Sequence, residues 1–377
     1  MKIVYCINNI NPLGGQETIT LFKANALVNK GVFVWIAYTE RVEDVLVEKS
    51  PSIHFIDLGI RYNDNQWPFP LNIIKRALKQ KTHKKKLTSH LRAIQPDIVI
   101  STENTEFPFL PSIKGDWRLI REFHFAKEFR KSTAFSFREK MTAFGGNLID
   151  SIYSAHYDRI VILTEAERRK RWMGNDRVRV IPNPVRFISE EPASLDSCRL
   201  IAIGRLVHLK NYTSLIRAFK IVNNYFPEWR LDIFGTGPEE SLLRKTITQE
   251  QLTDKVRLNG FSNDIQKELQ ESSVFVSSSI TEGFGLVLVE AMGCGLPVVS
   301  YDCSYGPQEI ISDGKDGFLV PVGDEKGLAD RICLLIENKH LREQMGSLAF
   351  AKSQQYSIES ICERWMALFR ELLTETD

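Results

Sequence analysis

One stretch of the sequence restricts the fold more than any other: a strand, a glycine loop, a helix and a second strand follow one another between residues 274 and 301. Val274–Ser279 is a short apolar run, and two glycines separate it from a helix that begins at Leu286. Leu296–Tyr301 is apolar again. This order is typical of a βαβ unit, in which both strands run parallel in one sheet. Because the first N–H groups of such a helix are unpaired, the loop can bind a phosphate group.

The alternation of apolar strands and helices continues along the chain. Continuous apolar strands joined by helices are typical of parallel sheets that are covered on both faces. At 377 residues, two such domains are favoured over one. We predict an N-terminal domain over residues 1–185 and a C-terminal domain over 186–356, with a Pro-Asn-Pro turn and a polar linker near their junction. Residues 357–377 should form a terminal amphipathic helix.

The predicted strands are residues 2–8, 32–38, 53–58, 97–101, 117–122, 159–163, 200–204, 229–234, 256–260, 274–279 and 296–301. The predicted helices are residues 17–30, 71–94, 136–157, 165–173, 212–225, 286–292, 323–338, 340–355 and 357–374.

Charged residues follow several of these strands. Glu282 and Glu290 flank the glycine loop, eight residues apart. A carboxylate beside a phosphate site commonly accepts hydrogen bonds from sugar hydroxyls, although a glycine loop before a helix is a frequent motif and both residues can be ordinary surface glutamates. Arg205 and Lys210 follow another strand, where they can hold a diphosphate or simply be exposed loop cations. His124 follows a strand of the first half and either faces the ligand crevice or packs as a structural residue.

These residues lie in segments that resemble a known family. The segment from Glu282 to Glu290 reads Glu-Gly-Phe-Gly-Leu-Val-Leu-Val-Glu and resembles the glutamate–seven–glutamate motif of the retaining glycosyltransferases of family 4, which have the GT-B fold. Gly204–Asn211, which contains Arg205 and Lys210, resembles the diphosphate-binding segment of that family.

Two further segments extend the resemblance to nearly the whole chain. Asp313–Val320 resembles the closing segment of the family, with Asp316 where asparagine is usual. Gly14–Glu17 resembles the N-terminal glycine loop, with Thr18 where arginine is frequent. The segments follow one another in the order of the family.

The resemblance implies two Rossmann-like domains that face each other across a cleft. The C-terminal domain would bind a nucleotide-sugar donor, with a UDP-sugar favoured, and the N-terminal domain would bind the acceptor. A hexose or N-acetylhexosamine would be transferred with retention of its anomeric configuration. The family favours attack by the acceptor hydroxyl on the same face, with the departing phosphate as the base.

The same resemblance implies roles for individual residues. Glu282 would hold the hydroxyls of the sugar, Glu290 the ribose, and His124 would contact the sugar near its 6-hydroxyl from across the cleft. Arg205 and Lys210 would stabilise the leaving diphosphate together with backbone N–H groups of the glycine loop. The other residues implied to contact the donor are Gly15, Gly204, Gly235, Phe261, Gly283, Phe284, Gly285, Leu286 and Val287.

The distribution of charge suggests a partner for the first half of the chain. Residues 1–185 carry 29 Lys and Arg against 19 Asp and Glu, whereas residues 186–377 carry 20 against 28. The helix predicted over 71–94 is strongly basic, and Ile74, Leu78, Leu87 and Leu91 are expected on its apolar face. It is either a solvated helix or a helix that rests on an anionic membrane. Nucleic acid is disfavoured because no RNA-binding signature accompanies the basic residues. The basic residues of the helix are Lys75, Arg76, Lys79, Lys81, Lys84, Lys85, Lys86 and Arg92.

Residues 301–310 resemble a variant found in bacterial enzymes that build surface polysaccharides, such as lipopolysaccharide or capsule, on lipid carriers. This implies a lipid-linked saccharide acceptor. No Asp-x-Asp pair or metal-ligand spacing is present, so we expect neither a metal nor another cofactor. The six scattered cysteines favour reduced thiols, and no stretch is long and apolar enough to span a bilayer. We expect a cytoplasmic enzyme, with possible peripheral contact with the inner membrane face.

Three other functions are compatible with parts of this pattern. A nucleotide-sugar 2-epimerase of the GT-B fold would need no acceptor. An NAD(P)-dependent oxidoreductase would use one Rossmann half, but residues 8–15 after the first strand lack its Gly-x-Gly-x-x-Gly motif. A catalytically inactive sugar-nucleotide-binding module is disfavoured because all the charged candidates are intact.

Overall fold

The computed structural model describes residues 1–10, 15–40, 51–63, 71–102, 105–124 and 152–375. These residues form two parallel sheets, each packed against helices, and the expected fold class is confirmed. The helix predicted over 136–157 and Gly14 of the N-terminal loop fall largely or wholly outside the described residues.

The first sheet contains seven parallel strands in the order β3-β2-β1-β4-β5-β6-β7. Ile3, in the third strand of this order, pairs with Val34 on one side and with Ile98 on the other. Because apolar residues dominate most of these strands, the sheet is stable only where helices cover both of its faces. The strands are β1 (Lys2–Ile7), β2 (Phe33–Tyr38), β3 (Ile53–Asp57), β4 (Ile98–Ser101), β5 (Arg118–Glu122), β6 (Arg159–Ile162) and β7 (Val178–Val180).

The second sheet contains six parallel strands in the order β10-β9-β8-β11-β12-β13. The order of the strands reverses between β8 and β11, and ligands of open α/β sheets bind beyond the carboxyl ends of strands at such a point. Arg205 follows β8, and Glu282 follows β11. The strands are β8 (Arg199–Ile203), β9 (Arg230–Phe234), β10 (Val256–Gly260), β11 (Val274–Ser277), β12 (Val298–Tyr301) and β13 (Gly317–Val320).

The helices begin at residues that suit a helix start. Thr164 accepts a hydrogen bond from the N–H of Glu167 at 3.2 Å, and Asp324 accepts one from Gly327 at 2.8 Å. The helices are α1 (Gly15–Asn29), α2 (Leu71–Ile94), α3 (Glu165–Arg171), α4 (Tyr212–Tyr225), α5 (Glu240–Gln249), α6 (Ile265–Gln270), α7 (Leu286–Gly293), α8 (Pro307–Ile310), α9 (Glu325–Glu337), α10 (Lys339–Ser353) and α11 (Ile358–Thr374).

The terminal helix α11 packs against the first domain although the second domain precedes it in the chain. Trp365 and Phe369 are buried in the core that also contains Tyr5 and Leu27. On its outer side, Glu371 pairs with Arg159 at 2.9 Å. The chain therefore passes between the domains twice.

The basic helix α2 has the predicted bounds, but its predicted apolar face is only half right. Leu87 and Leu91 are buried, whereas Ile74 and Leu78 are 56% and 59% exposed. A helix of 24 residues is about 36 Å long, while strands of five or six residues span about 20 Å. The helix is therefore longer than the sheet that it covers, and its first turns extend beyond the core. In the described parts of the chain, no helix is long and apolar enough to cross a bilayer.

Candidate active site

A cavity of about 540 Å³ lies where the two domains face each other. The first domain contributes Gly15, Gln16, Ile19 and His124, and the second contributes residues of the loops after β8 and β11. A neighbouring cavity of about 850 Å³ lies in the second domain. Arg205 lines both cavities, so the two spaces adjoin at its side chain. Together they offer room for a ligand that extends from the second domain into the cleft.

The glycine loop before α7 lines the wall of the first cavity. Gly285 has a φ of 92°, which L-residues with side chains rarely adopt, and a Cβ there would lie 2.9 Å from Leu288. This turn places Gly283, Phe284 and Leu286 at the cavity. The free N–H groups at the start of α7, including that of Val287, carry the positive end of the helix dipole and suit a phosphate group.

The loops after β8 and β9 pack backbone against backbone beside the second cavity. A Cβ at Gly235 would lie 2.0 Å from the carbonyl oxygen of Gly204. A Cβ at Gly237 would lie 2.3 Å from the carbonyl oxygen of Leu206. Only glycine at both positions allows the two loops to pack this closely. The ligand contact expected at Gly235 is a separate reason for glycine there.

Lys210 and Glu282, from different loops, form an ion pair at the cavity. Lys210 Nζ lies 2.5 Å from Glu282 Oε1, and Ser279 Oγ donates a hydrogen bond to the same oxygen at 2.6 Å. Their side chains are 22% and 13% exposed. Arg205 is exposed nearby. Two cations and a carboxylate thus stand beside the N-terminus of α7, an arrangement that can bind a diphosphate and the hydroxyls of an attached group.

Glu290 is held by a partner that the sequence did not suggest. It is buried on α7 and accepts two hydrogen bonds from Arg186, Nε to Oε1 at 2.5 Å and Nη2 to Oε2 at 3.1 Å. Arg186 lines the second cavity, but Glu290 itself lines neither cavity. The expected contact of Glu290 with a ribose would therefore require the pair to rearrange or Arg186 to take part.

Phe261, expected to contact the donor, follows β10 directly and is 73% exposed on the wall of the second cavity. Asp316 stands where the family pattern has asparagine, and here it is buried. It accepts a hydrogen bond from the N–H of Ser312 at 2.8 Å and lies 3.3 Å from Lys352 Nζ, which balances its charge.

The first domain contributes His124, which is 7% exposed and lies just beyond β5. Burial lowers its pKa to about 4, so the ring is neutral at pH 7. Glu122 Oε1 lies 3.4 Å from its Nε2. Burial alone would raise the pKa of Glu122, but the neighbouring Lys23 ammonium brings that pKa below its usual value. The carboxylate beside His124 is therefore ionised.

Sequence reasoning missed Lys23, Glu122, Arg186 and Ser279. A signal existed for Lys23, which follows Ile19 and precedes Leu27 at four-residue spacing on the buried face of α1. A charge on such a face is unusual and suggests a buried partner. Among the residues that the structure describes, no cluster of three or more His, Cys, Asp or Glu could hold a metal ion.

The fold places the protein in a class. Its two facing parallel-sheet domains are those of GT-B glycosyltransferases. A mutant of Staphylococcus aureus TarM, solved in complex with fondaparinux, alpha-GlcNAc-glycerol and UDP, superposes with a TM-score of 0.78. It is 17% identical, and the alignment covers 98% of this chain and 99% of TarM.

Two family models match the sequence. The model described as glycosyl transferases group 1 matches residues 186–351, and the model described as glycosyltransferase family 4 matches residues 13–187. With the GT-B fold, these matches support placing the chain in the group 1 glycosyltransferases and support a glycosyl-transfer activity.

Sequence relatives agree with that family. An uncharacterized glycosyltransferase of Haemophilus influenzae is 27% identical, and the alignment covers 97% of this chain and 99% of the relative. The poly(ribitol-phosphate) alpha-N-acetylglucosaminyltransferase of Staphylococcus aureus is 32% identical over 56% of this chain. That enzyme is one of four longer relatives, and this chain aligns with only 26% to 43% of the length of each.

Proposed function

We propose that the protein is a retaining glycosyltransferase that moves a hexose or N-acetylhexosamine from a UDP-sugar to a hydroxyl of a lipid-linked saccharide. The observation that carries this proposal is the pairing of Lys210 with Glu282 at the N-terminus of α7, opposite His124 across the cleft. UDP in the TarM complex supports the donor. The poly(ribitol-phosphate) and the amylovoran biosynthesis named for two relatives support a role in the synthesis of a polymer.

The reaction breaks the bond between the anomeric carbon and the diphosphate oxygen. Negative charge grows on the leaving diphosphate, where Arg205, Lys210 and the N–H groups at the start of α7 are placed to stabilise it. Lys210 can turn from Glu282 towards the diphosphate, which frees Glu282 to accept hydrogen bonds from the sugar. No metal or other cofactor is needed for this charge balance.

Retention would follow from attack by the acceptor hydroxyl on the face that the diphosphate leaves. The acceptor oxygen forms the new bond to the anomeric carbon, and its proton passes to the departing phosphate. A double displacement would instead need a carboxylate nucleophile on the opposite face of the sugar. A glycosyl-enzyme trapped in the Glu282→Gln variant would contradict the same-face route.

A donor panel tests the reaction class. Purified protein in EDTA is incubated with each common UDP-, GDP- and ADP-sugar, and release of free nucleoside diphosphate is measured. Release from one donor establishes that donor and the absence of a metal requirement. Tight binding of UDP without release points to a missing acceptor. If the protein binds no nucleotide at all, the proposed glycosyltransferase function is wrong.

The same panel separates the rival functions. A 2-epimerase converts one UDP-sugar into another. It needs no acceptor, and no free UDP accumulates. An oxidoreductase changes the absorbance of NAD(P)H at 340 nm and leaves nucleotide-sugars intact. The group 1 family match favours the transferase over the oxidoreductase.

The first turns of α2 suit a peripheral contact with an anionic membrane. Leu71, Ile73, Ile74 and Leu78 are all about half exposed, and exposed basic residues such as Arg76, Lys81 and Lys85 lie on the same helix. Apolar side chains can enter the headgroup region while basic ones contact anionic lipid, at about 1 kcal/mol for each basic residue. A lipid-linked acceptor would be reached from this position.

Sedimentation with vesicles that contain anionic lipid tests this contact. The Ile74→Ser/Leu78→Ser variant should bind several-fold more weakly and remain folded. Leu242→Ser/Leu348→Ser, which removes comparably exposed apolar residues from the second domain, is the matched control and should bind like the parent protein. Equal binding of all three proteins, or none by the parent, would exclude the contact.

A further inference from the structure

A buried ion pair lies directly behind His124. Lys23 of α1 and Glu122 of β5 are each 1% exposed and contact each other through Nζ and Oε1. The ring of Trp365 in α11 covers the pair, with Lys23 Nζ 4.7 Å from its centroid. The terminal helix thus helps to shield these charges from water.

Stability alone explains such a pair poorly. Moving two charges out of water carries a desolvation penalty that their attraction often fails to offset, and apolar replacements of similar size are commonly as stable or more stable. Lys23 stands at a position where neighbouring turns of α1 carry Ile19 and Leu27. A third apolar residue would suit that face. The presence of a charged residue there therefore needs an explanation other than stability.

The neighbour of the pair supplies that reason. Glu122 Oε1, the atom that contacts Lys23, also lies 3.4 Å from His124 Nε2. Within the described residues, neither ring nitrogen of His124 has a hydrogen-bond partner. Hydrogen bonds of catalytic groups are often long before the substrate binds and tighten afterwards. The carboxylate is thus ready to accept a hydrogen bond from Nε2.

We propose that Glu122, which is paired with Lys23, is a positioning residue that fixes the ring orientation and tautomer of His124. With the proton on Nε2 directed at Glu122, Nδ1 is left as the hydrogen-bond acceptor of the ring. The role of His124 in sugar binding rests on the proposed function, but the control of its tautomer does not. Besides Lys23 and Glu122, the charged group that acts on His124 is Arg121 of β5.

The variants separate a positioning role from a structural one. Glu122→Gln keeps the shape of the side chain but removes the charge, and its amide can turn either a donor or an acceptor towards Nε2. Lys23→Met/Glu122→Leu replaces the pair by apolar residues and should fold even if the single variant is unstable. Asp232→Asn is the matched control, because it breaks the buried Arg199–Asp232 pair of the second domain.

The first measurement is the tautomer of His124, read from ¹⁵N chemical shifts and long-range ¹H–¹⁵N couplings at pH 7. The parent protein and Asp232→Asn should show the Nε2–H tautomer, and both Glu122 variants should show a mixture or the other form. The same tautomer in every protein would overturn the proposal. No turnover is needed, so this result stands whether or not the protein proves to be a glycosyltransferase.

The second measurement is turnover of the donor identified by the panel. Both Glu122 variants should lose about tenfold or more in kcat, with KM for the donor changed less than about threefold. A purely structural pair would instead give full kcat in the apolar double variant once it is folded. That outcome would contradict a role in positioning.

Discussion

The two walls of the cleft use charge in opposite ways. On the first-domain wall, Lys23, Glu122 and His124 are at most 7% exposed, and the two charges neutralise each other. On the second-domain wall, Lys210 and Glu282 are 22% and 13% exposed and open to the cavity. A buried pair is costly to separate, whereas a pair in contact with solvent can exchange partners. The buried pair of the first wall therefore holds its side chains in fixed positions. The pair of the second wall can rearrange when a charged ligand binds.

The largest expected effect tests the first wall. Lys23→Met leaves the carboxylate of Glu122 buried without its cation, so the free energy of unfolding should fall by about 3–5 kcal/mol. Urea unfolding followed by fluorescence measures the change. Lys30→Met, which removes the exposed partner of Glu363 just after the end of α1, is the control and should leave the midpoint almost unchanged. Similar losses of unfolding free energy in both variants would show that the buried pair is no more important for stability than the exposed one.

The second wall should respond in activity rather than in stability. Lys210→Ala removes a cation that would face the leaving diphosphate, so kcat/KM for the donor should fall about 10²- to 10³-fold. The unfolding midpoint should move little because the pair is open to the cavity. Arg217→Ala, which removes a surface ion pair from the following helix α4, should retain parental turnover. A large loss of stability in Lys210→Ala would show that this wall is as fixed as the other.

Acid should destabilise the protein through two buried histidines of the first domain. Burial lowers the pKa of His83 and of His124 to about 4, below the usual 6.5. Between these values the unfolded chain binds protons that the folded chain does not, so stability is lost as pH falls from 6.5 towards 4. Each histidine should contribute about 2 kcal/mol between pH 7 and pH 5.

Unfolding curves at pH 7 and pH 5 measure this dependence. The His83→Gln variant should show about half of the parental pH dependence, because His124 remains. An unchanged dependence in that variant would mean that His83 is not buried in its neutral form. His83 lies within the first domain, where Tyr62 contacts its Nδ1 at 3.1 Å.

The smallest effect concerns the contact that joins the two walls. Glu309 Oε1 in α8 accepts a hydrogen bond from the N–H of Ala166 in α3 at 2.7 Å, and the preceding Gly306 packs against Phe284. Glu309→Ala should raise KM for the donor about fivefold, equivalent to about 1 kcal/mol, by weakening this contact between the domains. Gln308→Ala, in the same turn, should not. An unchanged KM in both variants would show that this contact does not influence the cleft.

Much of the fold could be predicted because the residue pattern within each short segment indicates whether that segment forms a strand or a helix. The predicted bounds of α2 and α4 are confirmed, and most strands lie within two residues of their prediction. The strands β7 and β13 were missed because Arg179 interrupts the first and a glycine begins the second, so neither shows the continuous apolar run of the predicted strands. The helices α5 and α6 were missed because polar residues dominate them.

The candidate site was predictable where one motif carries it and unpredictable where distant segments meet. The glycine loop and Glu282 lie in one continuous segment. Arg186 and Glu290 are 104 residues apart, and Lys23 and Glu122 are 99 residues apart. The chain alone gives no sign that such residues meet, since their contact depends on how helices pack on a sheet that is assembled from distant strands.

The return of α11 to the first domain has a consequence for synthesis. Residues 186–356 are consecutive, so the second domain can fold as soon as that stretch has left the ribosome. The first domain begins earlier but gains its outer helix last, and until then Tyr5 and Lys23 lack the cover of Trp365. The nascent first half would therefore expose a basic, partly apolar surface throughout elongation, which is a natural target for a chaperone.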